Sequence, residues 1–228
     1  LVNALTFNMA SDFDFMNKHP IYILIFLSFI ALSFTTFSTI ANDSTKHSIL
    51  LLGDSVSASY RMKQSQGWVH LLNKQLTTQK STYKITNASI SGETTTGGLS
   101  RLPGILAKER VDHLVIELGG NDGLRGYSPK KIKNNLLQMI KLAQDKNIPV
   151  TLYKVKITPN YGPRYNKMFE QVFIDVAAET NSNLLDFFVE PLVTDTSLMQ
   201  KDGIHPNIKA QPIIADFVAK QFKEIMDK

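Results

Sequence analysis

A serine at the end of an apolar run and a histidine three residues after an aspartate are the raw material of nucleophilic acyl transfer. This chain offers both. Leu50-Leu51-Leu52 runs into Gly53-Asp54-Ser55, and Asp202-Gly203-Ile204-His205 lies near the other end. A carboxylate so close to an imidazole can accept from one ring nitrogen and leave the other free as a base, which is the orienting logic of a Ser-His-Asp triad. Imidazole titrates near neutrality, so the same ring can take a proton and return it. Each stretch also has a plainer reading. Gly, Asp and Ser are ordinary turn and cap residues, and Asp202 with His205 suits an exposed surface turn. On these residues alone, both readings stay open.

Two further stretches could serve the same chemistry. Gly119-Gly120-Asn121 turns abruptly and offers a side-chain amide, and Gly92 offers a backbone N–H. Donors beside a nucleophile stabilise the oxyanion of an acyl-transfer intermediate, each by about 3 kcal/mol. A Gly-rich turn with an Asn is common in any case. Asp54 either braces the turn through hydrogen bonds or simply caps a helix.

These residues need elements to hold them. Strand-like runs at 49–52, 83–86, 114–118, 148–155 and 184–188 alternate with helix-like segments at 67–76, 99–108, 129–146, 165–180 and 208–226. Ser128 is placed to cap the third of these helices, with Pro129 at its first position. Uninterrupted apolar strands alternating with helices predict an α/β fold: a three-layer α/β/α sandwich with a central five-stranded parallel sheet. In open parallel sheets, function collects in loops at the carboxyl ends of strands. Gly53–Ser55, Gly92, Asn121, residues 154–166 and the Asp202–His205 pair all fall after predicted strands.

The joint order of Gly-Asp-Ser, a loop glycine, Gly-Gly-Asn-Asp and Asp-x-x-His, each after a strand, resembles the SGNH or GDSL hydrolase superfamily. Within it, "LGDSVSASYRM", "NASISGETTTGGLSRLP", "ELGGNDGLRG" and "DGIHPN" are similar to its multifunctional bacterial periplasmic thioesterases and lysophospholipases. The resemblance spans residues 48–225. It implies a flavodoxin-like sheet, with Ser55 as nucleophile, His205 as base and Asp202 as its orienting acid. It also implies an oxyanion hole from Ser55, Gly92 and Asn121, and no metal or cofactor. An acyl chain needs an apolar groove, for which Leu124, Tyr127, Ile157, Pro159 and Tyr161 are candidates. The resemblance further implies a loop after Asn121 that moves with substrate, a motion that Gly123 and Gly126 would permit. Val56 stands where the family name expects Leu. Glu93 stands where close relatives are expected to carry Asp.

The remainder bounds the reading. The chain has 228 residues, 43% of them hydrophobic, which suits one domain and an added segment. No cysteine is present, which excludes disulfides, thiol nucleophiles and Cys-ligated zinc. The net charge of +5 comes without a basic cluster interleaved with aromatics, which argues against nucleic acid. Met16 to Lys18, the apolar run 21–32 and Thr39-Ile40-Ala41 follow the order of a secretory signal. Residues 1–41 are thus read as upstream residues plus a cleavable signal starting at Met16, and residues 42–228 as a single periplasmic or secreted hydrolase domain. A retained anchor is the rival reading of that segment. His70 reads as a face histidine, His113 as structural and Trp68 as packing on the sheet. The partners expected are a small acyl ester or thioester and transient membrane lipid, on a monomer. The rival functions are a short-chain carbohydrate deacetylase, with an open polar site, and a binding protein on a dead scaffold.

Overall fold

The computed structural model describes residues 47–226. The proposed leader lies outside the described residues. Five strands form one parallel sheet: β1 (His47–Gly53), β2 (Tyr83–Asn87), β3 (His113–Glu117), β4 (Val150–Lys154) and β5 (Asn183–Asp186). Their order is β2-β1-β3-β4-β5, and all four pairings are parallel. Leu50, Leu51, Leu52, Leu114, Ile116 and Leu152 are wholly buried. Strands apolar on both faces need cover on both faces, and helices supply it. Helices α1 (Trp68–Thr78) and α6 (Ala210–Met226) pack against each other, while α2 (Thr95–Lys108), α4 (Pro129–Gln144) and α5 (Pro163–Thr180) pack in sequence. The five-residue helix α3 (Gly120–Leu124) follows β3.

In this strand order the chain leaves β1 in one direction for β2 and returns to β1's other side for β3. The gap between the carboxyl ends of β1 and β3 is therefore the switch point where open sheets bind ligands. Gly53 of β1 is in register with Glu117 of β3, so the Ser55 loop and the Asn121 helix emerge side by side.

The expected elements are present, with shifted ends. Helix α2 starts at Thr95 rather than 99, because Thr94 caps it by accepting from the Gly97 N–H. Its weak helix formers have a packing reason: a Cβ at Gly98 would lie 2.4 Å from Leu118 Cδ1. Strand β5 stops at Asp186, and Phe187 and Phe188 turn into the core, where Phe188 meets Trp68 and Tyr153. The expected Ser128 cap is corrected. Its side chain makes no capping bond, and only its carbonyl accepts, from Lys131 and Ile132. Pro129 does open α4, where a missing N–H costs nothing.

Candidate active site

Ser55 sits in the turn just beyond β1. The backbone curls back at once, with the Ala58 N–H donating to the Asp54 carbonyl at 2.9 Å. His205 lies in the loop before α6. Its Nε2 is 2.8 Å from Ser55 Oγ, and its Nδ1 is 2.9 Å from Asp202 Oδ2. Asp202 Oδ1 accepts from the backbone N–H of Ile204 and of His205, each at 3.0 Å. One carboxylate therefore builds the loop and orients the ring. Burial pushes the Asp202 carboxyl up, but those two N–H groups and the imidazole outweigh it and bring it to about 2.

Asn121 is carried by α3 at the end of β3. Gly119 makes this placement possible: its φ of 121° suits glycine, and a Cβ there would meet Phe173 Cζ at 2.9 Å. The Asn121 amide donates to Asp54 Oδ2 at 3.0 Å, leaving a second amide N–H for a ligand. Asp54 also accepts from the Val56 N–H at 3.1 Å, so it braces the turn rather than capping a helix. The backbone N–H groups of Ser55 and Gly92 have no protein acceptor among the described residues. The Gly92 carbonyl accepts from Arg125 at 3.2 Å.

Beneath this turn lies Glu117, wholly buried at the end of β3. Its Oε2 accepts from Ser57 Oγ at 2.8 Å and from the Asp54 N–H at 3.3 Å, and its Oε1 has no partner. Burial, then the nearby Asp54 charge, push its carboxyl well up. Burial also lifts Asp54, to about 6, against the pull of Val56 N–H, His205, Asn121 and Ser55. Two adjacent buried carboxyls do not both ionise readily. Glu117, with no cation facing it, is the one that keeps its proton. The signal for it was in the sequence: one acid in the apolar run Leu114–Leu118.

Ser55, Asn121 and His205 open into a cavity of about 500 Å³, the size of a small-ligand site. Leu124, Ile157 and Pro159 line it, as expected from their loops. Tyr127 and Tyr161 do not. The Tyr127 ring packs under the Lys131 ammonium, and the Tyr161 hydroxyl donates to the Leu124 carbonyl from an adjoining groove. The wall that sequence reading missed comes from the fifth loop: Phe187, Val189, Val193 and Ile204. Phe187 falls in the run expected as the fifth strand, and Val189, Val193 and Ile204 match no periodic element, so none of them carried a signal for the cavity. An ion pair of Lys156 with Glu190 also stands in the wall.

A Cβ on Gly123 would sit 2.7 Å from Ile157 Cγ2 and 2.9 Å from Phe169 Cε2, so this glycine serves close packing. Gly126, at φ 65°, does face open space. Glu93 pairs with Arg101 at 2.7 Å, which ties the Gly92 loop to α2. His70 is exposed, whereas Trp68 and Phe188 pack together in the core. His113 meets Thr151 Oγ1 at 2.8 Å.

Known proteins resemble this chain over most of its length. Residues 51–211 match the GDSL-like Lipase/Acylhydrolase family. The chain is 42% identical to esterase TesA of Pseudomonas aeruginosa over 187 residues, covering 82% of this chain and 93% of the relative. It is 41% identical over 201 residues to thioesterase 1/protease 1/lysophospholipase L1 of Escherichia coli K12, covering 88% and 93%. Among solved structures, the psychrotrophic esterase EstA from Pseudoalteromonas sp., inhibited by monoethylphosphonate, superposes with a TM-score of 0.79 at 43% identity, covering 80% of this chain and all of EstA.

Proposed function

Because the chain belongs to the GDSL-like lipase/acylhydrolase family, we propose that its ester hydrolysis runs through a Ser55-His205-Asp202 triad and takes fatty acyl esters and thioesters. The observation that carries this reading is the single imidazole bonded to Ser55 on one side and Asp202 on the other, at the wall of an apolar cavity. Ser55 Oγ attacks the acyl carbonyl while His205 Nε2 takes its proton. The oxyanion lies among the Ser55 and Gly92 N–H groups and the free amide N–H of Asn121. The tetrahedral intermediate collapses, and His205 protonates the departing alkoxide or thiolate. Water then attacks the acyl-Ser55 ester by the same route, releasing the fatty acid and restoring the serine. Asp202 remains ionised throughout and holds the ring in register.

The apolar lining favours an acyl tail over a sugar, which supports lipolytic thioesterase and lysophospholipase activity over carbohydrate deacetylation. Hydrolysis of p-nitrophenyl and CoA esters of increasing chain length, with Ser55→Ala beside the parent, tests both parts. We expect rates that rise toward long chains and fall by about 10⁴-fold or more in Ser55→Ala. Activity confined to acetyl esters would move the assignment to the deacetylase. Equal rates with and without Ser55 would end the triad mechanism. The order of Met16 to Lys18, the apolar run 21–32 and Thr39-Ile40-Ala41 supports a mature protein outside the cytoplasm, after cleavage behind Ala41.

A further inference from the structure

Tyr60 has no part in the mechanism above, yet the segment that carries it is strained. Its two neighbours, Ser59 and Arg61, both occupy left-handed backbone, with φ of 61° and 56°, although neither is glycine. Left-handed backbone is costly for any residue that carries a Cβ. Two such residues flanking one side chain require the surroundings to hold that side chain firmly. What it meets is His205. The two rings lie 4.4 Å apart between centroids, with planes tilted by 36°. The Arg61 guanidinium stands over the same Tyr60 ring, 5.1 Å from its centroid.

The backbone fastens the same contact. The Tyr60 N–H donates to the Ser55 carbonyl at 3.3 Å. Gln200 Nε2 donates to the Tyr60 carbonyl at 3.1 Å, and the Gln200 N–H donates to the His205 carbonyl at 2.7 Å. Tyr60 is thus joined to the nucleophile turn by its amide and to the base loop by its ring and its carbonyl.

We propose that Tyr60 is a positioning residue for His205, and that the left-handed Ser59–Arg61 turn serves to seat its ring against the imidazole. Asp202 and Ser55 hold the imidazole by two bonds in the ring plane. Two in-plane bonds do little to resist tilting of the ring out of their plane, and such a tilt swings the Nε2 lone pair off the serine proton. A flat ring against one face stops that motion. It also keeps water off that face, and its π cloud favours the imidazolium that forms as Ser55 attacks. The phenol hydroxyl takes no part in this account.

The inference rests on the proposed serine mechanism, and the test separates the two. kcat and KM for p-nitrophenyl butyrate are measured for the parent, Tyr60→Phe, Tyr60→Leu, Tyr60→Ala and Ser55→Ala. Phe keeps the flat ring and is expected within about twofold of the parent. Leu keeps apolar bulk without a flat face. Leu and Ala are each expected to lower kcat by about 10–100-fold with KM changed by less than about threefold, as for a misplaced catalytic group. If Tyr60→Ala does not fold, Tyr60→Leu carries the comparison. Leu matching the parent, Phe falling as far as Leu, or a loss expressed in KM alone would each overturn the positioning role. Turnover surviving Ser55→Ala would overturn the serine mechanism beneath it.

Discussion

Glu117 and Asp54 differ by one buried neighbourhood. Asp54 has the Val56 N–H, the Asn121 amide and the His205 ring to favour its charge. Glu117 faces Asp54 from the β1 turn and the Tyr153 side chain from β4, and neither supplies a cation. The folded protein therefore holds the Glu117 proton more tightly than the unfolded chain does. Stability from this group is fully present below the ordinary glutamate value of 4.5 and is lost as pH rises through the higher folded value. Glu117→Gln removes the titration while keeping the shape. Denaturant midpoints measured across pH should fall less steeply above pH 4.5 in Glu117→Gln than in the parent. Parallel curves would show that Glu117 ionises as freely in the folded protein as in the chain.

At the scale of elements, three of the described helices end on a left-handed residue other than glycine. Asn147 and Asn181 do this for α4 and α5, and Lys80 does it for α1, each followed by an N–H that reaches back to the last turn. Asn adopts the conformation readily, whereas lysine adopts it at a cost. Lys80 is exposed, so Lys80→Gly removes strain without opening a cavity. The strain released exceeds the extra chain entropy of glycine, and a gain of about 0.5–1 kcal/mol in unfolding free energy is expected by urea titration. Elements were also what the sequence disclosed best. The sheet could be read because β1 and β3 are apolar on both faces, and because the loops bearing Ser55, Asn121 and His205 each follow such a run. Helix α3 was not legible, since five residues with two glycines carry no helical period. Tyr60 was not legible either. What it touches is decided by a fold that brings the two ends of the domain together.

The whole molecule adds the question of where this hydrolase acts. With Ser55 as the proposed nucleophile in its apolar cavity, the enzyme left in the cytoplasm would meet the cell's own acyl thioesters. Expression of residues 1–228 with the proposed leader, followed by N-terminal sequencing of the exported protein, is expected to give Asn42 as the first residue. Recovery of the uncleaved chain in the membrane fraction would favour the anchor reading instead.

Ser55 follows the first strand, whereas His205 precedes the last helix, 150 residues later. Synthesis runs from one to the other. A ribosome that has completed β1 to β4 has made a serine with no base, and a protease that removes the final loop leaves the same. On the proposed triad, if export begins before the last helix is made, Ser55 crosses the membrane unarmed. On that mechanism the distance along the chain is a safety interval, keeping acyl hydrolysis off until the last part of the protein has arrived.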